Sequence, residues 1–436
     1  MALGGGPFLT QNKTLPGTYH NFVSKARAYL NLAERGFLAL PIVHDFGLDD
    51  AVLTLTAEDL QKNSLKLLGY DYTNEKLKPF RELFKNAHTV FAYFLKGSTA
   101  VAAQNTFATA NFKGERGNAL KVVIATNVDE PTYFDVKLYL ATVLVDEQTV
   151  TTAAELVDND FVTYKKDAKL GATAGTALTG GTNGTVTPVE HQKALDEFEA
   201  YGFNVLVCDS TDSGIKALYE AYTKRLRDEV GSKFQLVVHG LDGADHEGVI
   251  PIHNKAVEGD AKLVYWTAGA EAGCAINETI TNKVYDGEYT LDFEGAKTQS
   301  QLSALLKSGK FVFHKVGDET RVLEDVNSFV SFTTDKNEDF SMNQVIRVLD
   351  QDAIDMAHLF NTRYLGKVPN DQSGRVSLWS DVVTHGRELQ RLRAIENFNP
   401  DTVTVEQGQS KKSVVINKEF NVTVAMSQLY ITTVVA

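Results

Sequence analysis

Cysteine is scarce in this chain, whose 436 residues include only Cys208 and Cys274. The two thiols lie far apart in apolar surroundings, which excludes a disulfide framework and favours a reducing compartment. Long apolar runs are missing too, and no stretch approaches the roughly 20 residues that a membrane helix needs. The start, MALGGGPFLT, has no basic region followed by an apolar one, so we expect no signal peptide. We therefore expect a protein made in the cytosol of its host, without membrane insertion.

Positive charge is in deficit. The chain has 43 Lys and Arg against 56 Asp and Glu, a formal net charge of −13. This balance argues against nucleic acid or an anionic membrane as the main partner. The hydrophobic content of 43% is that of a folded globular protein. At this length roughly two to four domains are expected.

The chain before residue 98 has an α/β pattern. The predicted strands are residues 21–30, 36–43 and 89–95. Thr56 and Asp59 form a capping box that should open a helix through Leu68, and residues 74–85 predict a second helix. The pattern resumes after residue 187. Its predicted helices are 190–201, 215–230 and 303–307, and its predicted strands are 204–208, 234–238, 262–266, 311–314 and 320–323. Strand, helix and strand at this spacing imply a right-handed parallel crossover. The small residues of 267–277, directly after the strand at 262–266, would let a helix pack closely.

Residues 98–186 have a different pattern of apolar and polar residues. Little helical periodicity is present apart from a short possible helix at 153–157. Residues 134–140 alternate apolar and polar side chains, as in a strand with one solvated face. We interpret this part as an all-β domain inserted into the α/β domain, because the α/β pattern returns after it.

The last hundred residues begin with helical signals. Ser341 and Gln344 predict a capping box, followed by a buried stripe of Val345, Leu349, Ala353, Met356 and Phe360. A second helix should bury Trp379, Val382, Gly386, Leu389 and Leu392, with Arg387 and Arg391 on its other side. Residues 402–406, 412–417 and 422–435 are rich in β-branched residues and predict strands.

The predicted strand at 422–435 is apolar on both faces, which is typical of a buried strand. Chain ends are usually frayed and polar, and an exposed apolar edge strand promotes aggregation. Two interpretations resolve this conflict. The strand lies within the sheet of its own domain, or it is donated to the sheet of a neighbouring copy. Composition does not choose between them.

Several segments carry a resemblance to a known family. The segments in the last third of the chain are HKVGDETRVLEDVNSFVSFT (314–333), FSMNQVIRVLDQ (340–351), FNTRYLGKVPND (360–371), RAIENF (393–398) and SQLYITTVVA (427–436). Upstream lie L-x-G-G-x-x-G (178–184), A-G-x-x-A-G (268–273) and Y-D-G (285–287). In this shared order they resemble contractile phage tail sheath proteins, in the branch found in phage-like tails of Gram-positive bacteria.

The resemblance implies an α/β and α+β multidomain fold. Its implied parts are an N-terminal arm (1–19), a discontinuous α/β domain (20–97 and 187–335), the inserted outer β domain (98–186), and an inner C-terminal α+β domain (336–436) that ends in a strand arm (421–436). The arm residues would be Val422, Val424, Met426, Leu429, Tyr430, Ile431, Val434 and Val435. Arg387 and Arg391 would contact the tail tube.

The implied function is structural. The subunit would polymerise helically around a tail tube and contract to drive the tube through a target envelope, with neither a catalytic site nor a cofactor. The implied partners are further copies, the tube protein, and baseplate and tail terminator proteins. The product would be a virion or a phage-like tail.

The main alternative is a metal- or nucleotide-dependent α/β enzyme. Its candidate metal ligands are His239, Asp242, Asp245, His246, Glu247 and His253, residue types that bind zinc or manganese. Asp209 and Asp212 follow a predicted strand, where α/β enzymes place acids, although such residues also cap helices. The glycines of 171–184 lack the strand, helix and Lys-Ser/Thr of a phosphate-binding loop. We therefore favour the structural function and expect no metal site.

Overall fold

The computed structural model describes residues 34–293 and 297–435. The expected arm at 1–19 and the predicted strand at 21–30 lie outside the described residues.

A six-stranded sheet organises the fold, and its first strands come from the start of the described chain. The elements here are β1 (Phe37–Val43), β2 (Val52–Thr56), α1 (Ala57–Lys62), α2 (Ser64–Leu68), α3 (Lys78–Leu83) and β3 (Thr89–Leu95). β1 and β3 pair in parallel along their full length, while β2 joins β3 antiparallel. The capping box of Thr56 and Asp59 is present as predicted. The predicted single helix is interrupted, because Asn63 leaves helical geometry between α1 and α2.

Residues 98–186 form two antiparallel sheets. Their strands are β4 (Ala102–Gln104), β5 (Ala108–Lys113), β6 (Leu120–Thr126), β7 (Phe134–Leu140), β8 (Val143–Val150), β9 (Val162–Tyr164) and β10 (Thr173–Ala177). One sheet has the order β10-β6-β7-β8 and the other β4-β5-β9. In β7, Val136, Leu138 and Leu140 are buried in alternation with less buried neighbours, as predicted.

The α/β pattern then resumes with α4 (Pro188–Phe198), β11 (Val205–Cys208), α5 (Ser213–Arg225), β12 (Gln235–His239) and β13 (Val249–Ile252). A π-helical turn, Leu226–Val230, extends α5, and Gly231 ends it at a φ of 93°. The predicted parallel crossover is confirmed, since β11 and β12 pair in parallel. The complete sheet has the order β13-β12-β11-β1-β3-β2.

The next elements are β14 (Lys255–Ala256), α6 (Leu263–Gly273), β15 (Leu291–Asp292), α7 (Gln299–Lys307), β16 (Phe313–Val316) and β17 (Glu319–Val322). The strand predicted at 262–266 is wrong, because these residues begin α6. Every residue from Leu263 to Ala272 is buried, so no polar face reveals the helical period. Gly269 lets α6 approach α3, since a Cβ there would lie 2.5 Å from the Leu83 carbonyl oxygen.

The C-terminal part contains α8 (Asn343–Leu359), α9 (Gln372–Arg391), β18 (Ile395–Glu396), β19 (Thr404–Gln407), β20 (Val414–Asn417) and β21 (Asn421–Val422). The predicted capping box at Ser341 is wrong. Met342 is the N-cap residue of α8, and the Ser341 hydroxyl instead donates to the Glu338 carbonyl at 2.7 Å. The predicted apolar stripe of α8 is only partly buried, since Phe360 is exposed.

The core is divided among these parts. One face of the central sheet packs Leu38, Leu40 and Ile42 against α3 and α6, and the other packs its side chains against α4 and α5. The two antiparallel sheets enclose a separate core, and smaller clusters lie around α8 and α9. The expected fold class, an α/β domain with an inserted β domain and a C-terminal α+β domain, is confirmed.

Within the described residues, no helix has the length and apolar character needed to cross a bilayer.

The inserted sheets are attached tightly to the α/β domain. Gly97 and Gly184 cross so closely that a Cβ on Gly97 would lie 2.3 Å from the Thr185 nitrogen. The Arg116 guanidinium lies 4.3 Å from the centre of the Tyr70 ring, and the Tyr70 hydroxyl donates to Asp45 at 2.7 Å. The glycine-rich segment 178–184 therefore serves as a close-packed junction.

Candidate assembly surface

The end of the chain leaves the folded body as an exposed apolar segment. Beyond β21, residues 423–435 form neither helix nor strand in the single chain, so the strand predicted at 422–435 does not form within its own subunit beyond Val422. Met426 is 100% exposed and Leu429 83%. The other predicted arm residues beyond Val422 are exposed as well, namely Val424, Tyr430, Ile431, Val434 and Val435. The interpretation in which this strand is buried in its own domain's sheet holds only for β21.

The segment is anchored where it departs. β21 pairs antiparallel with β18, with Val422 opposite Ile395, and the Thr423 amide donates to the Ala394 carbonyl at 3.0 Å. The side chain of Gln344 then continues the pairing, because its Oε1 accepts from the Ala425 amide at 3.0 Å and its Nε2 donates to the Thr423 carbonyl at 3.3 Å. A buried primary amide thus takes the place of a neighbouring strand.

Beyond Ala425 this support ends. Within the described part of the chain, residues 426–435 make no backbone–backbone hydrogen bond. This segment, in which residues 430–435 are β-branched or aromatic, therefore presents backbone amides and carbonyls without backbone partners beside apolar side chains. This combination is a template for pairing with another chain.

Gln344 gives a direct test of this anchoring. We expect Gln344→Ala to lower the free energy of unfolding by about 1 kcal/mol, since it removes two hydrogen bonds at a partly exposed strand end. Hydrogen exchange at the Ala425 amide should accelerate. Gln344→Glu is the matched control, because its carboxylate still accepts from Ala425 and should keep that amide protected. Equal exchange rates in both variants would contradict the anchoring.

The face of α8 that meets the α/β domain is polar, which the stripe predicted from the sequence missed. The Arg347 side chain is fully buried and donates to Glu271 Oε2 at 2.6 Å and Asp325 Oδ2 at 3.2 Å. Asn343 donates to Asp325 Oδ1 at 2.8 Å and accepts from Gln235 at 2.9 Å. The spacing of Asn343 and Arg347, four residues apart, was available in the sequence, but nothing in it named their partners.

The two carboxyls of this cluster differ in their acidity. Burial raises the pKa of Glu271 well above its ordinary value, and the nearby Asp325 carboxylate raises it further. Burial also opposes ionisation of Asp325, but the Arg347 charge and hydrogen bonds from Glu271 and Asn343 outweigh it, so the pKa of Asp325 is lowered.

A second buried ion pair lies one turn along α8. Arg227, in the π-helical turn after α5, donates to both oxygens of Asp350 at 2.7 and 2.9 Å. Further along, Asp352 pairs with Lys418 at 2.5 Å, and the buried His385 ring of α9 lies 3.3 Å from the same carboxylate. α8 is thus fixed by ion pairs to the α/β domain on one side and to the segment after β20 on the other.

The cluster proposed as a metal site has other partners. The Asp242 carboxylate pairs with Lys310, and Asp245 accepts from the amides of Val330 and Ser331. Glu247 pairs with Lys336 at 2.7 Å. His239 is buried at the end of β12, and His253 lies at the end of β13, beyond its last residue.

Only Asp228, His246 and Glu247 bring potential ligand atoms within 4.8 Å of one another in the described chain. The His246 ring is oriented unfavourably for a cation. Its Nδ1 accepts from the Gly248 amide at 2.9 Å, so the neutral ring carries its proton on Nε2, the atom that faces Asp228 at 3.1 Å. No lone pair is then left for a metal.

The other enzyme-like features also have structural roles. Asp209 accepts from the Tyr265 hydroxyl at 2.5 Å, and Asp212 caps α5 through the Ile215 amide at 2.9 Å. Cys208 and Cys274 are buried free thiols, and burial raises the pKa of each to about 12. Thiols of this acidity are poor nucleophiles at neutral pH.

Arg387 and Arg391 lie on the exposed side of α9, as predicted. Arg391 forms a salt bridge with Glu388, which reduces its charge towards a partner. Both arginines lie in the last part of the helix, where a cation also interacts favourably with the helix dipole.

Three segments match models of phage tail sheath domains: residues 96–183 the β-sandwich domain, 184–328 the central domain and 335–436 the C-terminal domain. Among curated proteins, the phage-like element PBSX protein XkdK of Bacillus subtilis is 29% identical, over 95% of this chain and 96% of that protein. The uncharacterized protein YqbK of the same organism is 32% identical over 80% of each chain.

Solved structures match as well. The sheath tail protein of Desulfitobacterium hafniense is 32% identical with a TM-score of 0.79, covering 93% of this chain and all of that one. The sheath tail protein Lin1278 of Listeria innocua is 27% identical with a TM-score of 0.77, covering 89% and 92%. The helical sheath of the anti-feeding prophage in its contracted state, 12% identical with a TM-score of 0.56 over 97% and 99%, shares the fold.

Proposed function

Because the chain belongs to the phage tail sheath family, in the branch of Gram-positive prophages, we propose that it polymerises helically around a tail tube and contracts to drive that tube through a target envelope. A structural sheath role is common to the family. Helical polymerisation, contraction and the absence of catalysis are the finer parts of the proposal.

The observation that carries the proposal is the unpaired apolar segment 426–435. Its backbone groups would be satisfied by addition to a sheet of a neighbouring copy. The small β18–β21 sheet is a suitable acceptor, since it has only two strands within the described residues. A donor segment and an acceptor sheet are different surfaces of the subunit, so their contact is heterologous, and such a contact generates helical assemblies when the rotation does not close.

Such contacts would persist during contraction. Backbone pairing holds the segment while the folded bodies rotate as rigid units, and the ion pairs of α8 would keep the α/β and C-terminal domains together. The extended sheath would be metastable, and contraction would follow from larger buried contacts in the final state, without nucleotide hydrolysis.

The remaining assignments follow from the same proposal. The domains would be the arm 1–19, the α/β domain 20–97 and 187–335, the outer β domain 98–186 and the inner domain 336–436. The partners would be further copies, the tube protein, and baseplate and tail terminator proteins, with no cofactor, nucleic acid or inserted membrane. Assembly would take place in the bacterial host, into a virion or phage-like tail.

The structure of an assembled particle tests the proposal. We expect residues 426–435 of each copy to lie as a strand on a neighbouring copy in an electron cryomicroscopy map. If these residues instead folded back onto their own subunit, or if the chain were found outside the sheath layer, the proposal would be overturned.

Arg387 and Arg391 are the proposed tube contacts. We expect Arg387→Glu combined with Arg391→Glu to reduce co-assembly with the tube roughly tenfold, because like charges would replace attraction at a repeated contact. Tube retained in purified sheaths, scored by electron microscopy, measures the effect. Lys62→Glu with Lys66→Glu is a control of equal charge change on α1 and α2. Normal tube retention in the arginine variant would exclude this contact.

A further inference from the structure

The C-terminal domain also has an apolar groove whose wall is formed by residues outside the terminal segment. The groove encloses about 380 Å³ between the chain that follows α8, the first turns of α9 and the β19–β20 connection. Its apolar wall includes the exposed side chains of Phe360, Leu365 and Val368. Three large apolar side chains around one concave surface are typical of a protein-binding site.

Cations rim this groove. Arg375, Lys411 and Lys412 line it, and among the described residues none of them has a carboxylate within 4 Å. Within the described ranges, the Arg375 guanidinium donates to the Asn370 backbone and side-chain oxygens, both at 3.1 Å. By contrast, Lys418 in the same domain is paired with Asp352. The surface therefore selects an occupant that brings both an apolar side chain and carboxylates.

The chain itself carries the complementary charge. The formal net charge of −13 is divided unevenly, since the 102 residues 335–436 account for −2 and the 148 residues 187–334 account for −10. A copy of this chain therefore offers an acidic surface outside its C-terminal domain. It includes exposed apolar side chains beside acids, such as Val230 next to Asp228 and Glu229 at the end of the π-helical turn.

We propose that this groove binds the acidic α/β part of a second copy, as an ionic subunit contact separate from the terminal segment. The inference rests on the proposed assembly function and names a second contact within it. The two contacts differ physically. Pairing of residues 426–435 depends on backbone hydrogen bonds and apolar burial, whereas the groove contact between exposed charges weakens as salt screens them.

Zero-length cross-linking of assembled tails tests the proposal. A carbodiimide joins a lysine to a carboxylate only when the two are in contact. Tails assembled from a mixture of light and 15N-labelled chains distinguish links within a chain from links between chains. We expect mixed-isotope peptides that join Lys411 or Lys412 to carboxylates in residues 34–334. Links to the tube or another tail protein, links only within a chain, or none at these lysines would each overturn the proposal.

Charge reversal provides the second measurement. Lys411→Glu with Lys412→Glu should reduce the number of sheathed particles roughly tenfold at low salt, because each particle repeats the contact many times. Lys169→Glu with Lys307→Glu is the matched control, since it makes the same charge change at two exposed lysines outside the groove. Equal yields for the two variants would overturn the groove contact while leaving the terminal segment untouched. Failure of the unaltered chain to form sheaths would instead refute the underlying assembly function.

Discussion

A chain that ends at Ala425 should fold normally and fail to form sheaths. The truncation keeps β21, the Thr423 amide bond to Ala394 and the Gln344 contacts, so the free energy of unfolding should change by less than about 0.5 kcal/mol. It removes the exposed segment whose Leu429 and Ile431 side chains would each contribute about 1.5–3 kcal/mol when buried on a neighbour. Loss of both side chains should therefore weaken the contact between neighbouring subunits by roughly a hundredfold or more. Electron microscopy of tail preparations would then show few sheathed particles.

Two variants of one residue separate backbone pairing from side-chain burial. Ile431→Ala and Ile431→Pro both remove the apolar side chain, but only proline also removes the amide donor of a strand ladder. We expect Ile431→Pro to prevent assembly and Ile431→Ala to weaken it. If the two variants assembled alike, or if the truncated chain formed normal sheaths, the segment would not act by strand addition.

Replacing Arg347 with Met should produce a large loss of stability. The guanidinium is fully buried between Glu271 and Asp325, and its removal leaves a carboxylate charge without compensation in the interior. Breaking a buried pair in this way costs about 3–5 kcal/mol. Urea unfolding should therefore show a large decrease in the midpoint for the unit that contains α8. The assembled sheath should become correspondingly less resistant to urea.

Two controls identify the cause of this loss. Lys62→Met removes an exposed partner of Glu58 and should cost less than about 1 kcal/mol. A triple variant, Arg347→Met with Glu271→Gln and Asp325→Asn, removes the charges together and should recover part of the lost stability. A triple variant no more stable than Arg347→Met alone would show that packing, rather than the uncompensated charge, explains the effect.

The local signals in the sequence were sufficient for much of the fold. The β1 and β3 strands, the capping box at Thr56, and the β11–α5–β12 crossover follow from strand composition, capping chemistry and helical periodicity. The inserted antiparallel sheets follow from the alternation in β7. These features depend on residues close together in the chain, so a single sequence contains them. The same logic failed for the start of α6 at residues 263–266, where burial on every side removes the amphipathic pattern that distinguishes a helix from a strand.

For the candidate assembly surface too, some features could be predicted from the sequence and others depended on the tertiary structure. The sequence by itself determined that residues 422–435 are apolar on both faces, and so that this segment needs a partner. It could not determine whether that partner lies in the same subunit, because the choice depends on which sheet edges remain open after folding. Only the tertiary structure decided that pairing ends at Ala425, where Gln344 is the last support. It alone decided that α8 docks through charges, because Arg347 meets Glu271 and Asp325 across 76 and 22 residues of sequence.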